Sequence, residues 1–234
     1  MNLLLFDASQ RLDGTRIRLA GRTLSHLREV HRADVGKRLR VGEIGGLIGE
    51  GVVEHIDTEC AELNVQLEQP PPAKLPVSLV VALPRPKMLR RILRSVAEFG
   101  ARELHLINSY RVEKSYWQTP VLAPESIRNY LLLGLEQGCD TVLPQVHLHR
   151  RFRPWVEDEL PTLSKGKRAL VAHPGDYPPC PSQLTGETLL VIGPEGGFIP
   201  FEVECFNKAG CDMVNLGPRI LRTETAAIAA TASL

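Results

Sequence analysis

The sequence predicts an α/β protein on a mainly parallel sheet, preceded by a small strand-rich domain. Three observations carry this. From Val77 onward, strand-length apolar runs alternate with helical stretches, as in a parallel sheet with crossover helices. Two of those runs, Thr188–Ile192 and 213–216, empty into nearby turns, Gly193-Pro194-Glu195-Gly196-Gly197 and Gly217-Pro218-Arg219. Before Val77 the period differs: short, partly alternating runs spaced by Gly and Asp turns fit a small β-barrel.

The N-terminal runs are 3–6, 16–19, 38–41, 51–56 and 62–67. Residues 23–30 form the one helical candidate there, with Leu24, Leu27 and Val30 on one face. Four prolines within residues 69–76 favour an extended spacer. The expected organisation is therefore a domain over 1–70, a linker over 71–76 and a second domain over 77–234. In the second domain 77–83 reads as a strand. Residues 87–99 read as a helix, with Met88, Leu89, Ile92, Leu93, Val96 and Phe99 on one face and Gly100 as its stop. A strand over 103–108, a helix over 124–137, and strands over 144–148 and 168–172 follow. The chain closes with a helix of small residues over 225–234.

Composition bounds the function. The apolar fraction of 43% is that of a globular chain with a sizeable core. No eighteen-residue apolar stretch exists, and the short apolar start lacks the basic n-region and cleavage site of a signal peptide, so a cytoplasmic protein without a membrane span is expected. Five scattered cysteines form no CxxC pair, and no His/Cys cluster has zinc spacing; reduced thiols and no metal are expected. The net charge of +1 makes no case for nucleic acid. Its distribution says more: residues 1–40 carry nine basic and four acidic residues, and residues 41–70 carry seven acidic and no Lys or Arg. A basic N-terminal face would suit phosphates; a surface whose charges mix in space is the alternative. The tract Arg85, Lys87, Arg90, Arg91, Arg94 contains no acid and reads as a second phosphate-facing side.

The two Gly-Pro turns read as strand exits. Paired exits suggest parallel strands with their carboxyl ends side by side, where open α/β sheets bind ligands. Gly196 and Gly197 allow positive φ and close backbone approach. A Gly-rich turn also exposes free amides.

These motifs, GPEGG and LGPRILRTETA, resemble the two C-terminal motifs of the RsmE family, 16S ribosomal RNA uracil-N3 methyltransferases of the SPOUT superfamily. The resemblance continues more weakly along the chain. Leu24-Ser25-His26-Leu27, Val35-Gly36 and Leu39-Arg40-Val41 follow the family's pattern, as do Lys87, Glu98-Phe99-Gly100, Glu136-Gln137 and Ala172-His173-Pro174. Two departures stand out. Arg28-Glu29-Val30-His31-Arg32 replaces the family's Val-Leu-Arg, and Asp140 stands where relatives commonly have Arg.

The resemblance implies a PUA-like RNA-binding barrel, a methyltransferase domain with a C-terminal trefoil knot, a homodimer, and S-adenosylmethionine as cofactor. Implied cofactor contacts are Ala172, His173, Ile192, Gly193, Glu195, Gly196, Gly197, Leu216, Gly217, Ile220, Leu221 and Thr225. Ile192, Leu216, Ile220 and Leu221 would sandwich adenine. Arg219 and Arg222 are fixed cations for phosphate or uracil oxygens, and Glu224 is the nearest carboxylate to accept a proton. Thr223 and Glu224 could equally cap the last helix and complement its dipole. Arg22, Arg28, Lys87, Arg111 and Lys114 are the candidate contacts to small-subunit ribosomal RNA. Other readings are a nucleotide-phosphate binder, which the missing GxxxxGK[ST] pattern disfavours, a non-catalytic RNA-binding protein, and a SPOUT enzyme for another RNA.

Overall fold

The computed structural model describes residues 2–29, 32–182 and 186–233. The expectations for Val30 and Leu234 lie outside those residues. The chain divides into two compact units, residues 1–73 with 132–143, and residues 74–131 with 144–234.

The N-terminal unit contains β1 (Leu4–Phe6), β2 (Arg16–Leu19), α1 (Gly21–Glu29), β3 (Arg38–Glu43), β4 (Ile48–Ile56) and β5 (Ala61–Gln69). Its sheet runs β1-β3-β4-β5-β2. β1 pairs parallel with β3, and the other ladders are antiparallel. Alternation does its expected work: Ile17 and Leu19, then Leu63 and Val65, point inward between exposed neighbours. They meet Leu4, Phe6, Leu24 and Leu27 in one core. Among the described residues the edge strands β1 and β2 form no ladder, so the barrel expectation meets an open sheet that curls round this core. Its basic face is largely neutralised. Arg11 pairs with Glu43, Arg16 with Asp13, Arg22 with Glu136 and Arg38 with Glu50. The charges mix in space because carboxylates lie on the neighbouring strands and turns.

The return segment 132–143 was not expected in this unit. Its buried Asp140 accepts the Val142 amide at 2.9 Å, and Thr141 Oγ1 donates to the Gly46 carbonyl at 2.6 Å. Asp140 therefore does turn-forming work.

The C-terminal unit holds β6 (Leu75–Ala82), α2 (Pro86–Glu98) and β7 (Ala101–Ile107). Then come α3 (Pro124–Gly138), whose last residues group with the other unit, and β8 (Gln145–His149). β9 (Arg168–Ala172), β10 (Thr188–Ile192), α4 (Pro200–Lys208), β11 (Asp212–Val214) and α5 (Thr223–Ser233) complete it. The sheet order is β11-β9-β10-β6-β7-β8, and every ladder is parallel. β10 is buried along its whole length, as a central strand covered on both faces must be. β6 starts inside the expected linker and accommodates Pro76, which has no amide to give, where its ladder to β7 slips between Leu75 and Ser78. A helical stretch from Phe152 to Leu163, with a π-helical turn at Trp155–Glu159, has no counterpart in the sequence reading; Pro154 and Pro161 break up its period. All five cysteines are free.

His105 is buried in β7, with Nε2 at 3.1 Å from Glu103 and Nδ1 at 3.1 Å from His149. Burial, the largest influence, pushes His105 down to about 4. The unfolded chain then binds a proton that the folded chain refuses between the ordinary histidine range and pH 4. Stability is therefore full above pH 6.5 and falls as pH drops through that window, by about 2–3 kcal/mol. Melting temperatures of the natural chain and His105→Asn across pH 4–7 check this; the variant is expected to show a shallower acid-side slope.

Candidate active site

Parallel ladders place the carboxyl ends of β9, β10 and β11 on one edge. The two glycine turns do not come from neighbouring strands, as the sequence suggested: β9 lies between β10 and β11. The Ala172–His173 exit is thus the middle of the site. The His173 amide donates to the Val214 carbonyl at 2.9 Å, tying that exit to β11. In the first turn the Gly197 amide donates to the Pro194 carbonyl at 2.8 Å, with Gly197 at φ +73°. In the second, Asn215 Oδ1 accepts the Gly217 amide at 3.0 Å, with Gly217 at φ +100°. Thr223 Oγ1 donates to the Gly193 carbonyl at 3.1 Å and so joins the start of α5 to the first turn.

Two adjoining clefts result. The first encloses about 530 Å³ between Ala172, His173, Pro174, Gly193, Pro194, Glu195, Gly197, Leu216, Ile220, Leu221 and Ala226. The second encloses about 810 Å³ between Arg85, Met88, Glu195, Ile220, Leu221, Arg222 and Glu224. Glu195, Ile220 and Leu221 form the partition that both share.

Of the cofactor candidates, Ala172, His173, Gly193, Glu195, Gly197, Leu216, Ile220 and Leu221 line the first cleft. Ile192, Gly196, Gly217 and Thr225 do not. Ile192 is the last residue of β10, only 2% exposed, and packs beneath the floor. Gly196 turns toward Arg111, whose Nη1 donates to its carbonyl; a Cβ on Gly196 would meet Arg111 Cδ at 2.8 Å. Gly217 serves its own turn, and Thr225 points to solvent on α5. Of the catalytic candidates, Arg222 and Glu224 line the second cleft, while Arg219 is exposed on the loop and lines neither. Thr223, for which capping its own helix is an alternative reading, donates to the other motif.

The RNA candidates divide similarly. Arg22 is held by buried Glu136 at 2.7 Å, and Arg111 is engaged by Gly196, so neither guanidinium is free for phosphate. Arg28, Lys87 and Lys114 are exposed. Within the α2 tract Arg85 pairs with Glu195 at 2.8 Å and Arg94 lies over the Tyr130 ring, which leaves Lys87, Arg90 and Arg91 facing solvent.

Two residues that line these clefts each bury a polar atom with no hydrogen-bond partner among the described residues, His173 Nδ1 and Glu224 Oε2. Such atoms are costly unless something binds them. Burial, followed by the nearby Arg111 cation, lowers the His173 pKa, so its ring is neutral near pH 7. A neutral ring beside the first cleft suits a positively charged ligand better than an imidazolium would.

Comparisons with known proteins agree with this geometry. A family described as an RNA methyltransferase domain matches residues 71–234. The ribosomal RNA small subunit methyltransferase E of Treponema pallidum is 31% identical over 239 residues, covering 99% of this chain and 90% of that protein. The chain belongs to the RsmE family. Its members are S-adenosylmethionine-dependent methyltransferases of ribosomal RNA. The Mycobacterium tuberculosis protein of the same name is 28% identical, covering 88% of this chain and 80% of its own. The solved Neisseria gonorrhoeae ribosomal RNA small subunit methyltransferase E, bound to S-adenosyl methionine, is similar in fold, with a TM-score of 0.78 at 19% identity over 98% of this chain and 95% of that one.

The first cleft fits the cofactor of this family. Leu216, Leu221 and Ala226 give apolar cover for a base, the glycine turns leave main-chain groups uncovered, and His173 Nδ1 lacks a partner. Sequence reasoning missed Thr223 as the tie between the motifs and Met88 as a wall of the second cleft. No spacing signal could have found either, since both act across chain separations of a hundred residues or of thirty.

Thr223→Val keeps the shape of the side chain and removes the bond to the Gly193 carbonyl. It is expected to cost about 1–2 kcal/mol in thermal unfolding and to weaken cofactor binding several-fold by calorimetry. Gly196→Val is expected to displace Arg111 from the turn; cofactor affinity then falls through loss of the turn's shape, and Arg111→Ala should reproduce most of that loss.

Proposed function

We propose that this chain methylates N3 of a specific uridine in small-subunit 16S ribosomal RNA, with S-adenosylmethionine in the first cleft and the target base in the second. The observation that carries this is Glu224, whose buried Oε2 has no hydrogen-bond partner among the described residues and which lines a cleft together with Arg85 and Arg222.

The chemistry requires little else. N3 of uracil becomes nucleophilic only as its proton leaves. Glu224 is the carboxylate placed to take that proton, and its seat in the first turn of α5 keeps it oriented. Arg222 supplies a fixed positive charge for the uracil oxygens or the adjoining phosphate. Glu195 holds Arg85 at the partition and fixes the rim between the two ligands. His173 and the backbone of the 193–197 turn hold the cofactor, which when bound supplies a methyl group on a sulfonium. Ile220 and Leu221 exclude water between the clefts, and the remaining contribution is alignment.

The wider reading follows the family. The curled N-terminal sheet is a PUA-like module, with Arg28 among its RNA contacts and Lys87, Arg90, Arg91 and Lys114 as the catalytic unit's phosphate contacts. The packing of α5 against α2, β6 and β10 supports a knotted C-terminus. Ile220, 83% exposed on the rim, supports a homodimer in which a second subunit covers it. Among the described residues no helix is long and apolar enough to cross a membrane, in keeping with a cytoplasmic enzyme. A non-catalytic RNA binder would have no use for an unpartnered buried carboxylate beside two arginines.

Nucleoside mass spectrometry of ribosomal RNA from cells with and without the chain tests the assignment; 3-methyluridine at one small-subunit position should disappear with the gene. Glu224→Gln is expected to lower kcat at least about 100-fold while calorimetry finds cofactor affinity unchanged. Full activity in that variant would remove Glu224 from proton transfer.

A further inference from the structure

The turn that joins β4 to β5 gathers three side chains of different donor chemistry. His55 lies in β4, Asp57 opens the turn, and Cys60 directly precedes β5. His55 Nε2 and Asp57 Oδ2 are 2.8 Å apart. One ligand atom from each of His55, Asp57 and Cys60 lies within 4.8 Å of the other two. Local hydrogen bonds preset this arrangement. Asp57 Oδ1 accepts the amides of Glu59 at 2.7 Å and Cys60 at 2.8 Å, which leaves Oδ2 turned to His55. The Asp57 amide donates to the Cys60 carbonyl at 3.0 Å and closes the turn. Cys60 is buried while the His55 and Asp57 side chains are about half exposed, so sulfur comes from beneath and solvent from above.

We propose that His55, Asp57 and Cys60 bind a zinc ion, with its fourth position open to water. Imidazole nitrogen, carboxylate oxygen and thiolate sulfur are the donors zinc takes. A tetrahedral zinc with bonds of about 2.0–2.3 Å separates its donors by about 3.3–3.6 Å. The present separations, from 2.8 Å up to the 4.8 Å limit, straddle that value, so the three donors already lie within reach of one ion. On binding, the Cys60 thiol releases its proton to solvent, and one carboxylate with one thiolate neutralises the doubly charged ion. Arg18 Nη2, which donates to the Cys60 sulfur at 3.3 Å, then partners the bound thiolate from outside the coordination sphere. The spacing His-x-Asp-x-x-Cys has no second cysteine to announce it, which is why sequence spacing led to no metal expectation. The site lies within the N-terminal unit and is independent of the methyl-transfer reading.

The test titrates the reduced, chelator-treated full-length chain with cobalt(II), the spectroscopic stand-in for zinc. The expected result is a thiolate-to-cobalt charge-transfer band and intense visible bands that saturate at one equivalent and are bleached by zinc. Cys60→Ser should abolish the charge-transfer band. His55→Ala, at an exposed position, should weaken cobalt binding at least tenfold, with circular dichroism and metal-free melting temperature unchanged. No charge-transfer band in the natural chain overturns the site. So does a full-intensity band in Cys60→Ser, which would put the metal on another cysteine, or equal affinity in His55→Ala.

Discussion

The whole C-terminal unit depends on parallel pairing with β9 held between β10 and β11. That order brings three strand exits to one edge of the sheet, and nothing else in the chain could unite Ala172, Gly193 and Leu216. Parallel ladders bury their central strands on both faces, which is why β10 needs an unbroken apolar run and why its exit must turn sharply. One hydroxyl then connects the edge to the last helix: Thr223 on the Gly193 carbonyl. Through that bond the first turn and the 216–222 loop share a single geometry, so the two clefts adjoin across the same three side chains.

Electrostatics divides labour between the pockets. The first is apolar and main-chain-lined, with a histidine kept neutral by burial and by Arg111. The second is polar, with Arg85, Arg222 and a buried carboxylate oxygen. The proposed reading, a cationic cofactor beside a base that loses a proton, asks for this separation. Several arginines that look free in sequence are not. Arg22, Arg85 and Arg111 are each bound to a partner within the fold, which leaves the phosphate contacts of the proposed reading to side chains such as Arg28, Lys87, Arg90, Arg91 and Lys114.

The buried carboxylates illustrate a second point. Glu202 accepts Ser109 Oγ and the amides of Tyr110 and Ile199, so it is fully occupied in holding a loop to α4. Glu224 is as buried but has an oxygen to spare. Burial alone does not mark a candidate reactive group; an unmet hydrogen bond on a residue that also lines a cleft singles one out.

What the chain determined by itself was whatever depends on near neighbours. The strand and helix periods and the glycine turns are set by residues close by in the chain, so the α/β class and the two motifs could be read directly. Tertiary structure decided what depends on distant contact. It put β9 between the two motif strands, sent Gly196 toward Arg111 and away from the cleft, left Arg219 in solvent, and returned 132–143 to the N-terminal unit. It also kept β1 and β2 from pairing, where alternation alone fits a closed barrel as well as a curled sheet. Period fixes which face of a strand is buried; only packing chooses its neighbour, because the same alternation satisfies more than one ladder.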